Sequence, residues 1–174
     1  MGGLAAHLAS EVPLVLSVLS HPVGDAAPIS LPEHYARAAW VTSGVDSDVN
    51  VAIRRGTDDA AAAGVAELIE RTRAARESVA EALLGVPGDR VVVLAWQGWA
   101  LTLDDFLVTR MMEIAVHSDD LAASVGVATP DLPPYVLDPV LALLTGLAVR
   151  RHGQSAVLSA LTRRERAPES VAAF

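Results

Sequence analysis

Apolar positions along the chain repeat mostly at the three-to-four-residue spacing of a helix face. Leu4, Leu8, Val12, Val15 and Leu19 predict a helix over residues 2–19. Pro13 lies inside it and is expected to bend or split it, because proline offers no N–H to the carbonyl four residues back. Residues 21–32, punctuated by Pro22, Gly24, Pro28 and Pro32, read as a loop, and a short helix over 32–40 follows. A polar loop spans 43–50. The longest helical pattern covers 57–84, with Val65, Leu68, Ile69, Val79, Leu83 and Leu84 as its apolar stripe. Asp58 and Asp59 suit its first turn, and Gly85 stops it. The β-branched run 91–95 predicts a strand or extended connector.

A second clear helix starts at Thr102, where Asp105 three residues on completes an N-cap signal, and Gly126 closes it. After the proline-rich link from Pro130 to Pro134, residues 135–151 form another helix, ended by Gly153. Residues 155–161 form a short one, and the rest reads as a polar tail. No internal repeat is visible. The expected fold class is mainly all-α: one bundle over 1–153 with a minor extended segment, then a short helix and tail over 154–174.

Composition narrows the function. Apolar residues make up 52% of 174 and charged residues 20%, which suffices for a core and excludes wholesale disorder. All thirteen basic residues are arginine, against twenty-one acids, for a net charge of −8. A nucleic-acid binder needs a basic face to displace counterions from phosphates, and none is present. With no cysteine, any metal must be held by His, Asp or Glu. No stretch reaches the roughly 18–20 uninterrupted apolar residues of a membrane span. The apolar start lacks a basic leader and is interrupted by His7 and Glu11. The expectation is a cytoplasmic protein without nucleic-acid or membrane partners.

Chemistry concentrates in the helix from Thr102. Arg110, Glu113, His117 and Asp120 fall within an arc of about 80° on a helix otherwise apolar nearly all round. Such a helix is normally buried, so its polar stripe must face groups that satisfy it. Glu113 and His117, one turn apart, can bind one metal ion together. They can equally form an exposed helix pair worth a few tenths of a kcal/mol. His7, between Leu4 and Leu8, is either the missing ligand from a second helix or a hydrogen-bonded core histidine. Three ligands with an open position would be the arrangement of catalytic zinc. Arg110 and Asp120 would then act beside it, orienting a ligand or holding a substrate carboxylate.

The remaining polar residues carry weaker signals. His21 and His34 sit in or beside the proline-rich loop, and His152 ends a helix where positive charge is favourable. Ser10 and Ser20 lack the turn of a nucleophile elbow, and no glycine-rich phosphate loop is present. Trp96 and Trp99, around Gly98, are expected to pack on the bundle.

Two strings carry a resemblance: Gly3-Leu4-Ala5-Ala6-His7-Leu8, and Met112-Glu113-Ile114-Ala115-Val116-His117-Ser118-Asp119-Asp120-Leu121. Together they resemble the N-terminal metal-binding domain of the mycothiol-dependent maleylpyruvate isomerase family. The second string is far more restrictive than a bare Glu–His pair. The resemblance implies a DinB-like four-helix bundle in which His7, Glu113 and His117 hold a divalent ion, usually zinc. It also implies that mycothiol supplies a thiolate to the open metal position, where it would attack a small electrophile. Family members carry a complete helix before the His-Leu string, so the expected bundle either lacks its first helix or starts upstream of Met1. The isomerase's separate C-terminal domain is not expected here. The expected function is a metal-dependent, mycothiol-using isomerase or S-transferase. The alternative is a non-catalytic, metal-stabilised bundle that binds a small molecule or a partner. A bundle short of one helix would expose apolar surface, which a homodimer could cover.

Overall fold

The computed structural model describes residues 2–22, 26–38, 51 and 61–174. Helix α1 (Gly2–Ser20) is continuous with Pro13 inside it, so of the bend or split expected there the split does not occur. One helical hydrogen bond is lost at Pro13. Burial of Val15 and Val18 just beyond holds the helix through it. By length and composition α1 could cross a membrane, but in this bundle it packs against two other helices.

Helix α2 (Leu31–Arg37) starts where the Ser30 side chain accepts a hydrogen bond from the Glu33 amide, with Pro32 in its first turn. Trp40, the expected polar loop over 43–50, and Thr57, Asp58 and Asp59 lie outside the described residues. Helix α3 (Val65–Ala82) begins after Gly64, whose φ of 91° breaks the long helix expected from residue 57. The expected apolar stripe is also corrected. Val65, Ile69 and Leu84 are 72%, 50% and 79% exposed, and only its far end, at Val79 and Leu83, packs against the core.

The extended segment is half of a hairpin. Strand β1 (Val91–Leu94) pairs antiparallel with β2 (Trp99–Thr102), in register from Val91 opposite Thr102 to Leu94 opposite Trp99. The turn includes Gly98 at φ 83°. The second strand escaped prediction because Trp99-Ala100-Leu101-Thr102 does not alternate, and Ala100 and Leu101 are both fully buried. The loop before α2 docks on its edge, where the Ile29 amide donates to the Ala100 carbonyl at 2.9 Å.

Helix α4 (Leu103–Val125) grows directly out of β2. Thr102 ends the strand and caps the helix, its hydroxyl accepting from the Asp105 amide at 3.1 Å, and Gly126 closes the far end at φ 71°. Helix α5 (Pro134–His152) packs on α4, and α6 (Gln154–Thr162) turns back at Gly153. The C-terminal residues are not a free polar tail. His152 Nε2 donates to the Ala172 carbonyl at 2.8 Å, and the Phe174 ring lies 5.9 Å from that of Tyr35.

The core has two centres. Val15, Val18, Val92, Leu94, Leu101, Leu103 and Phe106 join α1, the hairpin and the start of α4. Tyr35, Met112, Val140, Leu143 and Leu147 join α2, α4 and α5. Arg90, entering β1, donates to the Leu19 carbonyl at 2.9 Å and so closes the C-terminus of α1. The result is a mainly α-helical, DinB-like fold with one small hairpin. It sets α1 against the middle of α4.

Candidate metal centre

Four-residue spacing puts His7 and Glu11 on the side of α1 that meets α4, and Glu113 and His117 on the side of α4 that meets α1. His117 Nε2 lies 3.1 Å from Glu113 Oε2, and His7 Nε2 lies 3.9 Å from the same oxygen. The imidazoles of His7 and His117 meet edge to face, with ring centres 4.8 Å apart. Three donor atoms, one from each residue, lie within 4.8 Å of one another. Tetrahedral zinc, with bonds of about 2.0–2.1 Å, separates its ligand atoms by about 3.3 Å. The two distances to Glu113 bracket that value and no pair exceeds 4.8 Å, so small side-chain shifts would let the three donors hold a divalent ion. The three side chains are 25%, 15% and 24% exposed, so the cluster is half-buried yet reachable.

Asp120 stands behind His117. Its Oδ2 lies 3.0 Å from His117 Nδ1, which leaves Nε2 as the nitrogen turned toward Glu113 and His7. Arg110, from the same polar stripe, is occupied differently. Its guanidinium donates to Glu11 of α1 and, at 3.0 Å, to Thr109 Oγ1, and it lies over the Phe106 ring at 5.3 Å. Glu11 also places Oε1 3.6 Å from His7 Nε2.

The site's charges follow from these contacts. Burial opposes ionisation of Glu113, but hydrogen bonds from His117 and His7, with the nearby Arg110 charge, hold its carboxyl down to about 2. His117 is raised, chiefly by its bond to Glu113, against burial and with help from Asp120. Burial pushes the Glu11 carboxyl up against the pull of Arg110, and the Glu113 charge adds to the push. Where His117 is protonated it shares a proton with Glu113 in the place a metal would take.

The structure brings together all five residues singled out in the sequence and adds three. Glu11, only 3% exposed, had read merely as an interruption of an apolar run. The signal was present, since a lone acid four residues after His7 is the same one-turn spacing as Glu113 and His117. The other two are His34 and Tyr35, both within the short helix expected over 32–40 and both buried on α2. Trp99 Nε1 donates to His34 Nδ1 at 3.0 Å. Burial, with the Arg110 charge, lowers His34 to about 4, so it stays neutral with its proton on Nε2. Tyr35 is raised by burial and then by the Glu113 charge, so both α2 side chains feel the centre. Trp99 packs as expected, whereas Trp96 is 54% exposed. His21 and His152 bond backbone carbonyls away from the cluster.

Fold and cluster together define a helical bundle with a candidate metal centre between two of its helices. The family model of the mycothiol maleylpyruvate isomerase N-terminal domain matches residues 1–122, and the chain belongs to that family. The match contains His7, Glu113, His117 and Asp120 and stops before α5 begins. No curated protein and no solved structure matches the chain.

Proposed function

We propose that the chain is a metal-dependent enzyme that uses mycothiol either to isomerise a small electrophile or, as an S-transferase, to add the intact thiol to it. The carrying observation is the His7–Glu113–His117 cluster, three half-buried donors converging from two helices. Family membership supplies the thiol, and the chain has no cysteine that could serve in its place. In this reading His7, Glu113 and His117 hold a divalent ion, zinc by the chemistry of two imidazoles and a carboxylate. Such an ion lowers the pKa of a coordinated thiol and so makes a thiolate nucleophile at neutral pH. Asp120 keeps His117 in the tautomer that turns Nε2 inward. Arg110 spends one N–H on Glu11 and one on Thr109, and its remaining donors can meet an anionic group of the substrate. The reading places the protein in the cytoplasm, where low-molecular-weight thiols stay reduced.

A non-catalytic bundle that binds a partner or a second copy is the second reading. It is favoured by exposed apolar side chains on α5 and α6, among them Leu141 at 50%, Leu158 at 59% and Leu161 at 70%. Metal content of the purified chain, measured by mass spectrometry beside Glu113→Ala and His117→Ala, tests the shared premise. About one zinc per chain, lost in both variants, supports the centre, and full metal content in His117→Ala overturns it. Mycothiol-dependent turnover by the metal-loaded protein then separates enzyme from binding module.

A further inference from the structure

His117 is oriented from behind by Asp120, the usual way a protein aims a metal-binding imidazole. His7 is not. Among the described residues no side chain bonds its Nδ1. Apart from the co-ligands Glu113 and His117, the polar group found beside its ring among the described residues is Glu11, whose Oε1 lies 3.6 Å from Nε2. The other Glu11 oxygen accepts from Arg110, which is fixed in turn by Thr109 and by the Phe106 ring. The Glu11 side chain is 4% exposed, so neither oxygen can turn to water without leaving its partner.

We propose that Glu11 is a charge-setting residue of the metal centre, a buried carboxylate held by Arg110 through one oxygen while the other stands beside the His7 nitrogen that faces the ion. The proposal rests on the metal reading above and adds to it a residue that touches a ligand without being one. If a bond of about 2 Å joins the ion to His7 Nε2, then Glu11 Oε1 lies within about 6 Å of it. Its charge therefore bears directly on the ion, and Arg110 balances that charge. One side chain thus ties the ligand on α1 to the cation on α4. Moving either partner changes the other.

Two variants test this by cobalt binding, read as the visible absorption of Co2+ added to metal-free protein, with zinc affinity obtained by competition. Glu11→Gln keeps the shape and removes the charge. Glu11→Asp keeps the charge and withdraws it from one of its two partners. Each variant is expected to bind about one Co2+ per chain, with affinity lowered roughly 10–100-fold and absorption bands displaced from wild type. A merely structural role would lower the melting temperature of the metal-free protein and leave the bands in place, and that result overturns the proposal. Wild-type affinity and bands in either folded variant overturn it as well. Failure of the wild-type chain to bind Co2+ overturns the metal reading itself, which distinguishes the two failures.

Discussion

The two helices that form the site support it in opposite ways. On α4 every support is local. Thr102 caps the helix, Glu113 reaches His117 one turn on, and Asp120 backs His117 at a spacing of three. On α1 the supports are remote, since Glu11 finds Arg110 ninety-nine residues away and the Leu19 carbonyl finds Arg90 seventy-one away. Local supports survive small shifts of the bundle, because they travel with their helix. Remote ones hold only while α1 and α4 keep their separation, so damage to the bundle should reach His7 before His117.

Removing Arg110 tests this most severely. Arg110→Ala leaves the Glu11 carboxylate buried without its cation, and breaking such a pair from one side costs about 3 kcal/mol or more. Because burial already raises the Glu11 carboxyl, it can take up a proton once Arg110 is gone. The loss should therefore be smaller at pH 5 than at pH 7, measured as denaturation midpoints in urea. Equal losses at both pH values would mean that Glu11 is not left as a buried charge.

Titration of the metal-free protein contrasts the groups within the cluster. Glu113 is held down to about 2 from an ordinary 4.5, so its stabilisation is complete above 4.5 and fades as the pH falls toward 2. That contribution is on the order of 3 kcal/mol. His117 is raised, so its contribution is present below its ordinary 6.5 and fades as the pH rises through the higher folded-state value. From these two groups, metal-free protein is most stable between about 4.5 and 6.5. Zinc needs the neutral imidazole, so its stabilisation should grow as the pH rises, where the metal-free protein weakens. Melting temperatures across pH, with a chelator and with zinc, check both trends. A zinc effect independent of pH would remove His117 from the ligand set.

How much the sequence disclosed follows the same division. The cap at Thr102, the stop at Gly126 and the polar stripe of α4 were legible because each is a relation within one helix. His7 stood out as a polar residue on an apolar face. Glu11 was legible only as an acid one turn after His7; its bond to Arg110 was not, because no spacing reports a contact between residues so far apart. The α3 stripe misled for a related reason. Helical periodicity shows which side chains share a face, not whether the bundle covers it, and three of the six stripe residues stay exposed. Strand β2 was hidden because burial on both faces erases alternation. The short helix that carries His34 and Tyr35 was legible, but nothing within seven residues reports that both side chains are buried near the centre.

Asp120→Asn narrows the comparison to the support of one imidazole. Asn can still meet His117 Nδ1 but without charge, and Asp120 is 53% exposed, so the fold should be unaffected. Zinc affinity should fall about 10-fold, at the mild end of what such partners contribute. A fall as large as that in Glu11→Gln would mean that local and remote supports matter equally.

The smallest effect is expected at the cap. Thr102→Ala removes the hydroxyl that accepts from the Asp105 amide, at a cost of about 1 kcal/mol. Thr102 also ends β2 opposite Val91, but that pairing uses backbone groups that alanine retains. The residues between the cap and Arg110 include Phe106 and Thr109, both almost fully buried, so packing rather than the cap holds the helix in place at the site. Zinc affinity should therefore stay within about twofold of wild type while the melting temperature drops by a few degrees. If affinity falls with stability, the two are coupled through α4 as a whole, and its supports are less local than their spacing implies.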